Sequence, residues 1–330
     1  MRVLVTGASG FVGSAVAELL LARGDEVIGW SRRECPQLIS LGMQSVRGDL
    51  ADPELLRQNV RDLDAVIHTA AKAGVWGKRT AYQHANVDAT VSLLDACRRA
   101  AVPRMVFTSS PSVTFSGVAQ SGVDESVGYA NRFLCAYPET KAEAERRVLA
   151  ASSATFSTVA LRPHLVWGAD DPHLLPRVIE RARQGRLAIA GDGSNRIDCT
   201  HIDNVVAAHV DALDTLSKTP SRCTGKAYFI SNDEPVLCAD WLARVCHAAG
   251  VPCRLRRVPL AVAYAVGGAL ELAYGAVRIQ REPRLTRFVA AQLALPHHFD
   301  ISAAKRDLGY RIRTTMDEGF EKLKTAWRKR

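Results

Sequence analysis

No Cys-x-x-Cys pair and no metal-ligand spacing occurs among the eight cysteines of this 330-residue chain, at positions 35, 97, 135, 199, 223, 238, 246 and 253. That excludes a zinc module and a dithiol redox motif, so no metal is expected. Reduced thiols in a cytoplasmic protein are expected rather than disulfides. Basic segments interleaved with aromatics are also missing. The net charge of +9 comes from dispersed residues, with local groups at Arg254-Leu-Arg256-Arg257, Arg278 to Arg287 and Arg328-Lys-Arg330. Nucleic acid is therefore not expected as a partner; a phosphorylated cofactor or an anionic membrane surface would use such charge better. Repeats and low-complexity linkers are absent. No leader is expected, because Met1-Arg2 runs straight into the apolar Val3-Leu4-Val5.

What is present is an alternation of short apolar runs and helical stretches through the first 165 residues. This pattern belongs to a parallel α/β sheet. Strands are predicted at Arg2–Thr6, Glu26–Trp30, Ser45–Arg47, Ala65–His68, Arg104–Thr108 and Ser157–Leu161, with helices at Val12–Arg23, Pro53–Val60, Tyr82–Ala101 and Pro138–Ala151. Beyond residue 166 the pattern loosens. Helices are predicted at Leu174–Gln184, Asn204–Leu216 and Ala239–Ala249, and a strand at Lys226–Ile230. The expected fold is a Rossmann-type doubly wound sheet over residues 1–165. A smaller α/β substrate lobe over 166–330 is expected to return some segments to the core, with the ligand cleft between the two parts.

The stretch 258–279 is strongly apolar, with Glu271 as its only acid and a Gly267-Gly268 pair. Its length approaches the roughly 20 residues a membrane span needs, but Glu271, Pro259 and the glycines argue against one. A helix buried in the substrate lobe is the preferred expectation. An interfacial helix anchored by the flanking arginines, giving peripheral membrane contact, is the second.

Gly7-Ala8-Ser9-Gly10-Phe11-Val12-Gly13 stands between the first strand and the first helix. There the first glycine permits the tight turn and the second the close approach of a pyrophosphate. The third permits close packing of helix on strand. An acid would bind the adenosine 2′-hydroxyl of NAD about 20 residues on, but the chain has Ser31-Arg32-Arg33 there. A serine and two guanidiniums suit a 2′-phosphate, so NADPH (NADP+) is expected and NADH is less favoured. Asp49 at the third strand end is placed to accept from the adenine amino group, with Leu50 packing on the ring. The small residues Ala70 and Ala71 after the fourth strand leave room for the cofactor. Asn86 is expected near the site.

Tyr137-Pro-Glu-Thr-Lys141 puts a lysine one helical turn after a tyrosine, and Ser110 lies 27 residues upstream. A phenol has a pKa of about 10, and a neighbouring ammonium would lower it toward the range useful for proton transfer. Ser110 would hold the carbonyl or alcohol oxygen. Ser109 and Ser112 leave open which hydroxyl is catalytic, and Cys135 is the one thiol placed to line a pocket.

Together these residues resemble the extended short-chain dehydrogenase/reductase family over essentially the whole chain. The resemblance implies Ser110, Tyr137 and Lys141 as catalytic residues, with Tyr137 and Lys141 also touching cofactor. It places Leu161-Arg-Pro163-His164-Leu165-Val166-Trp-Gly168 beside the nicotinamide, through Pro163, Leu165 and Val166. Thr140 departs mildly from the usual serine. Gly191 to His209 is similar to the 3β-hydroxysteroid and sterol-4-carboxylate dehydrogenase branch. His68 to Gly77, His173-Leu-Leu-Pro176-Arg177 and Lys226 to Asn232 resemble bacterial 2-alkyl-3-oxoalkanoate reductases of long-chain olefin biosynthesis.

The resemblance implies NADPH-dependent reduction of the 3-keto group of a long-chain apolar 3-oxo acid. The rival expectations are a 3β-hydroxysteroid or sterol-4-carboxylate dehydrogenase and a non-catalytic dinucleotide sensor; the intact Ser/Tyr/Lys set argues against the sensor. Lys72 is the first choice to meet the substrate carboxylate, with His173 and Arg177 next. Trp76, Ser112 and His164 complete the expected substrate contacts. A homodimer and association with other lipid-pathway enzymes are the expected protein partners.

Overall fold

Short apolar segments alternating with helices build one parallel sheet in the computed structural model, which describes residues 1–328; the last two residues of the C-terminal basic group, Lys329 and Arg330, lie outside the described residues. Its strands are β1 (Arg2–Thr6), β2 (Glu26–Ser31), β3 (Gln44–Arg47), β4 (Ala65–His68), β5 (Arg104–Thr108), β6 (Ser157–Pro163) and β7 (Lys226–Ile230). They lie in the order β7-β6-β5-β4-β1-β2-β3, with every neighbouring pair parallel. This is the expected doubly wound α/β fold. The direction of winding reverses between β1 and β4, so the loops leaving those two strands flank the crevice where such sheets bind ligands.

Both faces of the sheet are covered, which is why its strands read as continuous apolar runs rather than alternating ones. Val3 and Val5 of β1 pack with Val16 and Leu20 of helix Phe11–Ala22 and with Ala212 and Leu213 of helix Ile202–Leu216. On the other face Leu4 and Val66 pack with Leu93 of helix Ala89–Arg99 and with Ala144 and Val148 of helix Ala136–Ala150. The 15-residue Ala136–Ala150 thereby fixes Tyr137 and Lys141 beside the C-terminal end of β5.

The predicted helix over 82–101 is interrupted. Helical Arg79–Tyr82 runs into a π-helical segment, Gln83–Asp88, before Ala89–Arg99 continues. The wider turn follows from Asn86, which is buried and bonded to Lys72 and Thr140 outside its own helix. Insertions of this kind cluster at functional sites.

A second departure is 258–279, where a buried helix was preferred. The helix Leu260–Ala276 buries only Ala263 and Gly267. A Cβ at Gly267 would stand 2.7 Å from the Thr286 carbonyl carbon, so the small residues carry the packing and the large apolar ones turn outward. No helix among the described residues is long and apolar enough to cross a membrane.

Four of the five buried histidines make stability depend on pH. Burial pushes His68 down to about 3, His209 and His297 to about 4, and His164 well below its ordinary value. In the unfolded chain they take up protons below about 6.5, while the folded protein resists until near 4. The unfolded state therefore binds more protons in that window, and stability falls as pH falls. Each histidine contributes up to about 1.4 kcal/mol per pH unit. Asp198, pushed up to about 7 by burial, works the other way and offsets about one of the four, and Glu125 and Asp211, also raised by burial, act in its direction. The denaturant midpoint should be clearly lower at pH 5 than at pH 7; equal midpoints would mean that the folded histidines accept protons freely.

Candidate active site

The loop after β1 is shaped by close approach. Gly7 has a φ of +73°, and a Cβ there would lie 2.8 Å from the Ala70 nitrogen. A Cβ at Gly13 would lie 2.2 Å from the Gly7 carbonyl oxygen. The Gly7 N–H donates to the Trp30 carbonyl at 2.7 Å, and the Thr69 hydroxyl donates to the Thr6 carbonyl at 2.7 Å. These bonds lock together the ends of β1, β2 and β4. Helix Phe11–Ala22 begins at Gly10 with no side-chain cap and no acid in its first turn, leaving backbone N–H groups free for an anion. Ser9, Phe11 and Val12 are half-buried around this cradle, with Ala70 and the exposed Ala71 opposite. The residues present fit the pyrophosphate of a dinucleotide.

At the end of β2 the arrangement differs in part from expectation. The Ser31 hydroxyl donates to the Arg33 carbonyl and is buried within its own loop, so it is not turned outward toward a phosphate. Arg32 and Arg33 are exposed, and neither forms an ion pair among the described residues. Asp49 already has two partners. Its Oδ1 accepts from the Ala51 N–H at 2.9 Å and its Oδ2 meets His84 Nε2 at 3.0 Å, which together hold the carboxyl below its ordinary range. Leu50 is buried in the core with Ile28 and Leu56, beneath the surface on which an adenine was expected to pack. Across the sheet, Leu165 takes a φ of +40° between the buried Pro163 and the half-buried Val166. A branched side chain held there is strained, a condition that collects at ligand sites.

The three expected catalytic side chains come together at the end of β5. Ser109 continues the sheet, its N–H donating to the Leu161 carbonyl at 2.6 Å, and its buried hydroxyl finds no partner. Ser110 begins the following turn. Its Oγ accepts from the Ser112 N–H at 3.2 Å and lies 2.9 Å from the Ser112 Oγ, which is itself buried. Lys141 is buried and donates to the Thr108 carbonyl at 2.6 Å, with its Nζ 4.1 Å from the centre of the Phe107 ring. Burial brings its pKa down to about 7, against the opposing pull of Glu145. Tyr137 differs from expectation: burial holds its phenol above the ordinary value, outweighing the hydrogen bond with Ser110.

Asn86 clamps this region. Its Oδ1 accepts from the Lys72 N–H at 2.6 Å, and its Nδ2 donates to Thr140 Oγ1 at 3.0 Å, joining the loop after β4 to the catalytic helix. A polar chain continues from the Thr90 hydroxyl, which bonds the Asn86 carbonyl, through His68 to Thr6.

A cavity of about 410 Å³ lies against the catalytic helix, lined by Trp76, Tyr82, Leu134, Cys135, Leu272 and Arg287 among others. Tyr82, which no sequence motif marks, pins the loop above it by sharing its hydroxyl proton between the Gly74 and Trp76 carbonyls, both at 2.9 Å. The Trp76 indole donates to the Ile279 carbonyl at 2.9 Å, which ties this wall to the apolar segment. Cys135 is a thiol pushed up to about 12 by burial. Lys72 is half-buried, with its Nζ 5.0 Å from the centre of the Tyr82 ring and no ion pair among the described residues.

Three other expected substrate residues, His164, His173 and Arg177, are not in the cavity lining, although Glu282, the partner of Arg177, comes within 3.8 Å of a Cβ at Gly74 on the loop beside Tyr82. His164 is buried, with its Nε2 2.6 Å from His297 Nδ1. His173 is exposed at a helix start, and the Arg177 guanidinium is occupied by both oxygens of Glu282 at 2.9 and 3.1 Å.

The sequence pattern of the 3-beta hydroxysteroid dehydrogenase/isomerase family matches residues 4–260. The chain is 46% identical over 329 residues to a 2-alkyl-3-oxoalkanoate reductase of Shewanella oneidensis, across 98% of this chain and 85% of that protein. It is 33% identical over 328 residues to the decarboxylating sterol-4-alpha-carboxylate 3-dehydrogenase of Mus musculus, across 96% and 88%. Among solved structures, MoeE5 in complex with UDP-glucose and NAD shares the fold with a TM-score of 0.77 at 27% identity, across 100% of this chain and 99% of that one.

Proposed function

We propose a specific reaction for this chain, which belongs to the 3-beta hydroxysteroid dehydrogenase/isomerase family and is an NAD(P)-dependent oxidoreductase of the short-chain dehydrogenase/reductase type. It reduces the 3-keto group of a 2-alkyl-3-oxoalkanoate to the 3-hydroxy acid, with NADPH as the preferred cofactor. The observation that carries this reading is the cavity at the start of the Tyr137 helix, where Val75, Trp76, Leu134 and Leu272 supply apolar wall beside the Glu271–Arg287 pair, with Lys72 stacked on its Tyr82 wall and in no ion pair among the described residues. Alkyl tails suit the walls, and a carboxylate suits the lysine. The 46% identity to a reductase of that name supports the same substrate class.

Gly7, Gly10, Gly13 and the helix start they open would hold the pyrophosphate. Arg32 and Arg33 would hold a 2′-phosphate. The bound cofactor supplies the hydride. The protein supplies the proton and the geometry: Ser110 and Tyr137 hold the ketone oxygen, and the Tyr137 hydroxyl gives up its proton to it. The raised pKa of Tyr137 suits that direction, because the phenol arrives protonated. Lys141 spends one N–H on the Thr108 carbonyl and would offer its remaining N–H to the ribose. The sterol-dehydrogenase relative supports a second reading, oxidation of a 3β-hydroxysteroid by the same residues.

A panel of a 2-alkyl-3-oxo acid, a neutral ketone of similar size and a 3β-hydroxysteroid, each with both nicotinamide cofactors, separates the readings. NADPH consumption with the oxo acid is expected; turnover of the steroid alone would overturn the proposal. In the same assay Lys72→Met should raise KM for the oxo acid by roughly 10-fold or more, the value of a charge-assisted contact, and spare the neutral ketone. Equal effects on both substrates would remove Lys72 from the site.

A further inference from the structure

Single apolar residues on a protein surface need no explanation, but a contiguous apolar face does. The helix Leu260–Ala276, about 26 Å long, presents only apolar side chains to solvent, Val262, Tyr264, Val266 and Leu272 among them, and Val277 and Ile279 extend the face. Leu272 is 78% exposed and Val277 71%. The one charged side chain of the helix, Glu271, turns inward, bonding the Arg287 N–H and Nε at 2.7 Å each.

Charge surrounds this face at both ends. Arg254, Arg256 and Arg257 precede it, Arg278 and Arg281 follow it, all five are exposed, and none forms an ion pair among the described residues. Of the nearby acids, Glu271 is paired with Arg287 and Glu282 with Arg177, while Asp192 bonds Ser194 and feels the Arg257 charge. A second copy is a poor occupant: a two-fold contact sets the same patch against itself, so the five arginines would face one another with only Asp192 beside Arg257 to offset them. An anionic lipid surface matches both features, taking the apolar face into its acyl boundary and the arginines among its headgroups.

We propose that Leu260–Ile279 docks this protein on an anionic lipid surface. The cavity at the start of the Tyr137 helix is walled by the same helix, through Gly268, Glu271 and Leu272. A long alkyl tail can then pass from the lipid to the site without crossing water; that consequence rests on the proposed substrate, whereas the docking does not.

The test is co-sedimentation of the full chain, without substrate, with vesicles of phosphatidylcholine alone and of phosphatidylcholine with phosphatidylglycerol. Binding to the anionic vesicles is expected, weakening as salt rises. Each arginine near such a surface is worth about fivefold in binding, so Arg278→Glu/Arg281→Glu should weaken it by about tenfold or more. Val262→Glu/Val266→Glu should do the same by placing charge in the apolar layer. Both variants should keep wild-type turnover of a short, water-soluble 3-oxo acid. Absence of binding to anionic vesicles, or unchanged binding in both variants, would overturn the docking. So would a change from dimer to monomer in Val262→Glu/Val266→Glu, measured by sedimentation equilibrium, since the face would then lie between copies. In the wild-type chain, absence of docking with intact oxo-acid turnover refutes the docking alone, and docking without oxo-acid turnover refutes the proposed reaction alone.

Discussion

Replacing Tyr137 by phenylalanine should lower kcat by a factor of order 10² to 10⁴, the range that general acid catalysis supplies. The substitution keeps the ring and its packing and removes only the hydroxyl that interacts with Ser110. Burial is the main influence on this phenol and keeps it protonated, so the loss falls on proton donation rather than on a stored negative charge. Lys141 stays in place because its anchor, the Thr108 carbonyl, belongs to the neighbouring strand. Dinucleotide affinity, followed by fluorescence titration, should therefore be nearly unchanged. A variant with near-wild-type turnover would remove Tyr137 from the proton path.

The parts of this site that could be read in the sequence are those set by local spacing. Gly7, Gly10 and Gly13 lie between a strand and a helix, and the approaches measured at Gly7 and Gly13 are of the kind that spacing implies. Tyr137 and Lys141 share a face because they lie on one helix. What was not legible depends on partners distant in the chain. Asp49 meets His84, Arg177 meets Glu282 and His164 meets His297, and no local pattern announces these pairs. The π segment at Gln83–Asp88 exists because Asn86 satisfies Lys72 and Thr140, a tertiary demand that helical periodicity cannot contain.

The segment 258–279 shows the same limit in packing. Its composition announces an apolar helix but not which side is covered. A substrate-lobe core was the simplest place for so many valines and alanines. Instead Gly267 and Gly268 lie against Thr286 and Arg287, and that close contact is made by the residues that contribute least to hydrophobicity. The bulky side chains are left on the outside as a consequence. Composition therefore misleads wherever glycine carries the contact.

Removing the two guanidiniums after β2 is expected to change cofactor choice. Arg32→Ala/Arg33→Ala should weaken NADPH by roughly 10- to 100-fold, the loss of charge-assisted contacts worth about 1.5–3 kcal/mol, and leave NADH almost unaffected. Neither arginine is committed to an ion pair among the described residues, and both are exposed at the strand end where the adenosine ribose of a dinucleotide would lie. The buried Ser31 hydroxyl is spent on the Arg33 carbonyl, so discrimination falls on the guanidiniums alone. Asp49 feels the Arg32 charge and is also held by Ala51 and His84, so it should keep its place in the variant. Affinities for both cofactors, measured by titration of wild type and variant, give the answer directly. A parallel loss of NADH and NADPH would mean that the arginines shape the loop rather than read the phosphate. A wild type that prefers NADH would show that an exposed guanidinium pair, without an acid at Ser31, does not suffice to select the phosphorylated form.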